Sequence, residues 1–445
     1  MSSNVKSGVA TLLHTACGAG ILAMPYGFKP LGLTFGIMAL AFCSICAMTG
    51  LLLQAQIARY VPDRSVSFFR LTQLIHPKLS VVFDLAIAVK CFGVGVSYMI
   101  VVGDLLPQVF ATFTSHKFLL DRNFHITMVM LFIVSPLCFM KKLTSLKKAS
   151  VIALSSVGYL CCLVVIHFCW PSQEIHDRKG KVSFGFPKNE PTPLTTLPIF
   201  VFAFTCHHNA FSVYNEQKDI STGKLTKIGR YAMAIAFLLY TTIGGAGYLT
   251  FGDKVAGNII TLYPPSVSTT VGRVAIALLV MLAFPLQCHP ARTSISDILY
   301  FVQAYGKQDA AAVTDGNASE NIENSTLLAA EESLEDDERN PPVSTLHGKK
   351  FNIITVCILV ASYLLAISVT SLARILAVVG STGSTSISFI LPGIFGYYLI
   401  GSEYPPDARP KKAKLASYAG LVLALWGLIV MVASLVATLL IGASH

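Results

Sequence analysis

Residues 7–28 read SGVATLLHTACGAGILAMPYGF and carry two glycines and a proline where a membrane helix would otherwise be continuous. Gly18 and Gly20 lie in the middle of the stretch, and Pro25 follows. In a helix interior glycine costs about 1 kcal/mol and proline about 3 kcal/mol, and Pro25 frees the carbonyl of Ile21. Unpaired backbone persists at membrane depth only where protein, water or a ligand satisfies it. The stretch therefore predicts a broken helix at a binding site; close packing of a neighbouring helix on small residues is the alternative.

The composition of the whole chain places this helix in a membrane. Of 445 residues, 53% are hydrophobic and only 13% are charged, whereas soluble domains carry about 25% charged residues. The net charge of +10 is therefore interpreted as membrane topology rather than nucleic-acid binding. The eleven cysteines lie in apolar stretches, where they behave as small hydrophobes, so we expect neither a disulfide nor a metal site.

Eleven apolar stretches are long enough to cross a hydrocarbon core, which takes about 20 helical residues. We number them as segments one to eleven, near residues 7–28, 31–54, 81–110, 125–140, 149–170, 194–213, 229–251, 271–289, 351–370, 374–400 and 417–441. Lys and Arg are concentrated in the connections that follow even-numbered segments, and cytoplasmic connections are enriched in these residues. We therefore expect a cytoplasmic N-terminus and a C-terminus that is outside or lumenal.

The number of segments on each side of the 171–193 loop predicts an inverted repeat. Segments one to five occupy residues 1–170 and segments six to ten occupy 194–400, while 401–445 adds segment eleven. Because five is odd, the second half enters the membrane from the opposite side, and in such transporters broken helices at corresponding positions form the substrate site. The acidic stretch 293–350 interrupts the second half and predicts a disordered cytoplasmic loop. The segments expected to form a site are therefore one and six.

Segment six contains many polar side chains for a membrane interior. It reads LTTLPIFVFAFTCHHNAFSVYNE and includes Thr205, His207, His208 and Asn209. Polar residues inside a bilayer are costly and are functional candidates for that reason. The segment lacks the glycine pair of segment one, so its break is predicted only from its position in the repeat.

Four ionisable side chains within the segments are functional candidates. Histidine changes its charge near neutral pH, and His14, His207 and His208 lie in segments one and six. Lys90 lies about ten residues into segment three, where a cation needs a partner inside the bundle. The alternatives are neutral histidines bound to helix carbonyls and a Lys90 that extends to the inner membrane surface.

Five stretches in combination carry a family resemblance: GAGILAMPYGF (18–28), CFGVGVSYMIVVGD (91–104), FAFTCHHNAFSVYNE (202–216), FPLQCHPARTSISD (284–297) and VGSTGSTSISFILPGIFGY (379–397). The chain resembles the amino acid/auxin permease family of the amino acid–polyamine–organocation superfamily. Its overall pattern is most similar to fungal vacuolar amino acid transporters.

This resemblance implies an all-α integral membrane protein with a LeuT-like fold of five plus five inverted segments and an eleventh helix. It also implies an amino acid substrate and coupling to protons or sodium. Sodium-coupled relatives have an amide at the position of His14 and a hydroxyl at that of Phe284, and neither residue here supplies an oxygen ligand. Protons are therefore favoured, with His14, Lys90, His207 and His208 as candidate carriers.

The predicted substrate site combines the break in segment one with residues of segments three and six. Its members are Gly18, Ala19, Gly20, Ile21, Tyr98, Phe204, Thr205 and His207.

With what the resemblance implies, these patterns lead us to expect a proton-coupled amino acid transporter that works by alternating access, and the resemblance alone places it in the vacuolar membrane, with transport from lumen to cytosol. An amino acid sensor with little turnover, which signals through the 293–350 loop, is the alternative. An enzyme is not expected, because no segment carries paired carboxylates or a cluster of metal ligands. The expected partners are an amino acid, protons and lipid, with no cofactor and no nucleic acid, and the oligomeric state is left open.

Overall fold

The computed structural model describes residues 5–61, 66–76, 79–140, 147–187, 193–217, 221–314 and 348–440, and this part of the chain is almost entirely helical. Within it, nine helices are long and apolar enough to cross a membrane, and a bent pair of helices in segment one makes a tenth. The predicted all-α integral membrane fold is confirmed. Segment six consists of shorter pieces, so the eleventh crossing and the five-plus-five repeat stay predictions.

The helices follow the predicted segments. Their bounds are Val5–Ala16 and Met24–Phe28 in segment one, Gly32–Ile57 in two, Leu79–Phe110 in three, Arg122–Val129 and Ser135–Phe139 in four, Lys147–Cys169 in five, Leu197–Ala203 and Ala210–Asn215 in six, Thr222–Phe251 in seven, Val267–Thr314 in eight, Lys349–Ser368 in nine, Leu372–Val379 and Leu391–Leu399 in ten, and Lys411–Leu440 in eleven. The short helices Phe68–Gln73 and Gln173–Asp177 lie in connections.

Wide turns interrupt two of the segments without ending them. In segment four the π-helical turn Met130–Val134 precedes Pro136, whose ring cannot fit a regular helix interior. Segment ten contains two such turns, Gly380–Ser384 and Ser386–Ile390. Single π turns inside α-helices are frequent at functional sites, and those of segment ten pack against segment three.

Segment eight is longer than predicted. Its helix continues to Thr314, so the first part of the 293–350 stretch is helical. The physical reason lies in the sequence, since no proline occurs after Pro290 within this helix and alanines fill its last turns. Residues 315–347 lie outside the described residues, and a disordered loop there stays a prediction.

Most segments pack as two groups, and segment five contacts both of them through segments seven and eight. Segments one, two and seven contact each other and carry segment six, while segments three, four, eight and nine form the second group. Segment ten contacts segment three on one side and segments two and six on the other, and segment eleven packs on segment ten. Any site between segments one and six on one side and three and eight on the other therefore lies between the two groups.

The loop after segment five is bound to its neighbours through main-chain hydrogen bonds. The N–H of Leu33 donates to the carbonyl of Ser183 at 2.9 Å, and the N–H of Asp253 donates to the carbonyl of Lys181 at 3.0 Å. These bonds join the loop to the start of segment two and to the end of segment seven.

A second network ties the ends of segments three, four and nine together. Arg122 lies 3.9 Å from a carboxylate oxygen of Asp104 and donates to the carbonyls of Ala366 and Val369 at 3.0 and 3.1 Å. Asn258, which follows segment seven, donates to Asp104 at 3.3 Å. Connections that follow odd-numbered segments thus meet at one end of the molecule.

The opposite end is joined between segments two and ten. Arg59 donates to Glu403 at 2.7 Å, and the hydroxyl of Tyr60 donates to the other oxygen of the same carboxylate at 2.5 Å. An even number of predicted crossings separates these residues along the chain, so their contact agrees with the predicted alternation of crossing direction.

Candidate functional site

Segment one is broken where its glycines predict a break. The first helix ends at Ala16, and a 3₁₀ helix runs from Ala19 to Ala23 before the second helix begins at Met24. The two parts are bent by 54°. Between them Gly18 has φ −97° and ψ −144°, which belongs to no helix. A helix end leaves carbonyl and N–H groups without intrahelical partners, so the break offers both to a ligand.

Segment six is also broken. Its first helix ends at Ala203, residues 204–206 are not helical, and a 3₁₀ turn over His207–Asn209 leads into the second helix. Side chains of other segments hold the open backbone. The hydroxyl of Tyr240 donates to the carbonyl of Ala203 at 2.8 Å, and the hydroxyl of Ser388 donates to that of Thr205 at 3.1 Å.

The two breaks lie against each other. A Cβ atom placed on Gly20 would lie 2.9 Å from a ring carbon of Phe202 and 3.4 Å from the Cα of Ala203, so glycine allows this approach. One turn away, the side-chain amide of Asn209 donates to the hydroxyl of Thr15 at 3.1 Å. Segments one and six therefore form one continuous wall.

A small cavity lies between this wall and segments three and eight. Segments one and six contribute five of the residues around it and segments three and eight contribute four, and together they are Thr15, Ala16, Gly18, Phe202, Thr205, Lys90, Val94, Tyr98 and Gln287. Its volume of about 10 Å³ suffices for about one water molecule, so the structure is closed around the site. The hydroxyl of Tyr98 lies 3.1 Å from the position that a Cβ on Gly18 would take, which brings the two walls into contact.

Lys90 lines this cavity and contacts His208, which is partly buried and lies outside the lining. Lys90 is 2% exposed, and its Nζ lies 3.1 Å from Nε2 and 3.4 Å from Nδ1 of His208. In the described part of the chain no carboxylate pairs with Lys90. An ammonium group only donates, so the histidine nitrogen that faces it must be unprotonated to accept. Lys90 therefore does not extend to the membrane surface but contacts a ring nitrogen of His208 inside the bundle.

Segment ten supports the cavity from behind. A Cβ on Gly383 would lie 2.7 Å from the Cβ of Lys90. The hydroxyls of Ser381 and Thr385 donate to carbonyls of their own segment, at 3.0 and 2.6 Å. These side chains hydrogen-bond to main-chain carbonyls in or just before the first wide turn. Ser388, in the second wide turn, donates to the hydroxyl of Thr205 in segment six.

Several predicted site residues lie at the breaks but outside the cavity lining. His207 is fully buried, and its Nε2 lies 2.9 Å from the carbonyl of Ala47 in segment two. Its own carbonyl accepts from Gln54 at 3.4 Å. Phe204 packs edge-on against Tyr240, with ring centroids 5.1 Å apart. Ala19, Gly20 and Ile21 are buried in the 3₁₀ helix, and His14 is partly buried in the helix before the break.

Sequence reasoning missed other residues of the cavity. Thr15 and Gln287 are the two with a visible signal, since each is a polar side chain within a predicted apolar segment. Val94 and Phe202 carry no such signal, because apolar side chains are usual in a membrane helix.

A family model of transmembrane amino acid transporter proteins matches residues 1–437. The chain is 54% identical over 448 residues to vacuolar amino acid transporter 6 of Saccharomyces cerevisiae, which covers 99% of each chain. It is 52% identical to vacuolar amino acid transporter 5 of the same yeast over 100% of each chain, and 37% identical to vacuolar amino acid transporter 5 of Schizosaccharomyces pombe over 96% of this chain and 92% of that one.

Among solved structures, the chain is similar to Mhp1, a nucleobase-cation-symport-1 family transporter in a closed conformation with bromovinylhydantoin bound. The TM-score is 0.53 at 13% identity, over 99% of this chain and 91% of that chain. At this identity the likeness concerns the fold alone, and Mhp1 has the LeuT fold. The expected LeuT-like fold is thereby confirmed.

Proposed function

The chain belongs to the family of transmembrane amino acid transporter proteins, and from this premise we propose that it carries amino acids together with protons from the vacuolar lumen to the cytosol by alternating access. It is a transporter of the vacuolar membrane and not an enzyme. The observation that supports the proposal most directly is the cavity, which joins the two breaks to the Lys90–His208 pair.

The breaks supply the main-chain groups for the substrate. Gly18 and Thr205 border the cavity from segments one and six, next to the ends of helices. N–H groups at the start of a helix attract a carboxylate, while carbonyls at the end of one attract an ammonium group. We therefore assign the α-carboxylate and α-amino groups of the substrate to this wall.

The Lys90–His208 pair supplies the proton-coupling step. With one proton on Lys90, the facing nitrogen of His208 accepts its hydrogen bond. A second proton, taken up from the acidic lumen, would put two positive charges about 3 Å apart in a buried place, and such charges repel strongly. The doubly protonated pair must separate or release a proton to the neutral side. Of the four predicted carriers, Lys90 lines the cavity and His208 contacts it, so the coupling is assigned to these two rather than to His14 or His207.

Alternating access follows from the packing of the two groups. The cavity lies between segments one and six on one side and three and eight on the other, and each pair belongs to a different group. At about 10 Å³ it is too small for an amino acid, so the groups must move apart to admit one. We propose that they open first to the lumen and then to the cytosol.

Purified protein in liposomes tests the proposal. With the outer solution more acidic than the inner one, labelled amino acid should accumulate inside, and a protonophore should abolish the accumulation. One pH unit is worth about 1.4 kcal/mol per proton, so coupling of one proton to one substrate gives at most about tenfold accumulation. Binding without accumulation would contradict transport, and accumulation that needs sodium but no pH gradient would contradict proton coupling.

A further inference from the structure

Gln287 lies on the cavity wall that faces the two breaks. It belongs to the helix Val267–Thr314 and follows Pro285 by two residues. Its side chain is 7% exposed, and it is the single carboxamide among the described residues that line the cavity. Its Oε1 is buried and has no hydrogen-bond partner within the described residues.

The other polar side chains around the cavity are already engaged, and the hydroxyl of Tyr98 is bound by the carboxamide of Gln287. The hydroxyl of Thr15 donates to the carbonyl of Thr11 at 2.8 Å and accepts from Asn209. The hydroxyl of Thr205 donates to the carbonyl of Val201 at 2.8 Å and accepts from segment ten. Lys90 is paired with His208, as described above. These groups therefore need no further partner, whereas the carboxamide oxygen of Gln287 does.

A buried acceptor without a partner is costly, and in a native structure it calls for an explanation. Packing alone does not provide one here, because this oxygen belongs to a residue at the edge of a cavity. A ligand that enters the cavity with a hydrogen-bond donor would remove the cost.

We propose that Gln287 is a specificity-determining residue whose Oε1 accepts a hydrogen bond from the substrate's side chain, so that the transporter prefers amino acids with a short hydroxyl or carboxamide side chain. The inference rests on the proposed function, since it takes the main-chain groups of the substrate to be bound by the opposite wall. Hydroxyl and carboxamide groups can donate to the unpaired oxygen, while an apolar side chain of the same shape leaves it unpaired. A site built to hydrogen-bond a substrate group rejects an analogue that lacks it for this reason.

The chain offers a matched control in Gln54. This glutamine is also fully buried with an unpaired Oε1, but it does not border the cavity, and its amide donates to the carbonyl of His207 at 3.4 Å. Gln287→Met and Gln54→Met each remove a buried carboxamide, but only Gln287→Met changes the lining of the cavity.

The experiment measures counterflow of labelled amino acids in liposomes at equal pH on both sides. Serine is compared with 2-aminobutyrate, and asparagine with leucine, because the members of each pair have nearly the same shape. The wild-type protein should favour serine and asparagine by about tenfold in kcat/KM. Gln287→Met should remove this preference by raising KM for the polar substrates and not for the apolar ones. Gln287→Glu keeps an acceptor and should retain part of the preference, and Gln54→Met should keep all of it.

Three results would overturn the inference. One is a wild-type protein that transports both members of each pair equally, and another is a Gln287→Met variant that keeps the preference. The third is an equal rise in KM for all substrates in Gln287→Met, which would assign Gln287 to the main-chain groups instead. A wild-type protein without any counterflow would refute the proposed function itself, so the two failures are distinguishable. Gel filtration in detergent verifies that each variant is folded.

Discussion

Segment one breaks at Cys17 and Gly18, beside a second glycine and ahead of Pro25, whereas segment six breaks at residues 204–206 with no glycine anywhere in its helices. The first break is produced by residues that disfavour a helix locally. The second is stabilised by partners from four other segments, because Thr15, Ala47, Tyr240 and Ser388 all bind its groups. A broken membrane helix can thus be specified by its own backbone or by its neighbours. The two kinds of break should respond differently to substitution.

The largest effect is expected where the two breaks touch. In Gly20→Leu the new side chain would enter the space of the Phe202 ring, and overpacking of this kind costs about 1–3 kcal/mol or more. Amino acid uptake in liposomes should fall by about 100-fold, while the amount of protein inserted in the membrane should stay unchanged.

Gly158→Leu is the control for this substitution. Gly158 lies in segment five, and a Cβ there would meet nothing within 4 Å. Its uptake should equal that of the wild-type protein. Normal uptake in Gly20→Leu would show that the approach of the two breaks is dispensable.

The second-largest effect is expected for Lys90, on the cavity wall opposite the two breaks. Lys90→Met removes the ammonium beside His208, so pH-driven accumulation should fall from up to about tenfold per pH unit to none. Counterflow at equal pH should continue, because the breaks are intact. Both are measured with the same labelled substrate, and Lys254→Met, at an exposed position, should behave as wild type. Accumulation that persists in Lys90→Met would return the carrier role to His14 or His207.

A smaller effect is expected where a neighbour supports the break in segment six. His207→Ala loses the bond to the carbonyl of Ala47, worth about 0.5–1.5 kcal/mol, and leaves the space of a fully buried imidazole empty. The temperature of half-inactivation in detergent should therefore drop, while the pH-driven accumulation ratio of the remaining folded protein should be unchanged. His116→Ala, at an exposed position, should alter neither quantity. A stable His207→Ala protein that has lost proton coupling would place His207 in the proton path.

The smallest effect is expected for the hydrogen bond that joins the two breaks. Thr15→Val and Asn209→Leu each remove the 3.1 Å bond, worth about 0.5–1.5 kcal/mol, and should raise the KM of the substrate by about two- to tenfold. The double variant should be little worse than the single ones, because both remove the same bond. Multiplicative effects in a double-mutant cycle would show that the two side chains act independently.

The sequence predicts what depends on local composition. Apolar length predicts the long helices, and the glycines and proline predict the break in segment one, since these residues carry their conformational cost wherever they lie. The same reasoning does not predict the break in segment six from local sequence. That break depends on distant groups such as Ser388, which is 183 residues from its partner Thr205 along the chain. Only the position of segment six in the predicted repeat pointed to it.

The cavity shows the same limit. Lys90 and His208 both stand out as polar groups at membrane depth, but they are 118 residues apart, and no local pattern indicates that they meet. Phe202 contacts Gly20 and lines the cavity, yet one phenylalanine among many apolar residues gives no signal. Contacts across the bundle depend on the packing of whole helices and on crossing angles that the sequence does not display.

The clasp between the loop after segment five and its neighbours is made of peptide groups: Lys181 and Ser183 accept through their carbonyls, and Leu33 and Asp253 donate through their N–H groups. Exchanging a side chain leaves these main-chain bonds in place, although Asp253 would lose the bond that its carboxylate accepts from the N–H of Lys181 at 2.9 Å. Inserting or deleting a single residue would shift every bond out of alignment. Gly32 has φ +72° and lies directly against the carbonyl of Gly185, so this position requires glycine. Among related proteins the amino-acid sequence of this loop should therefore vary while its length stays constant. Percentage sequence identity would not reveal this constraint.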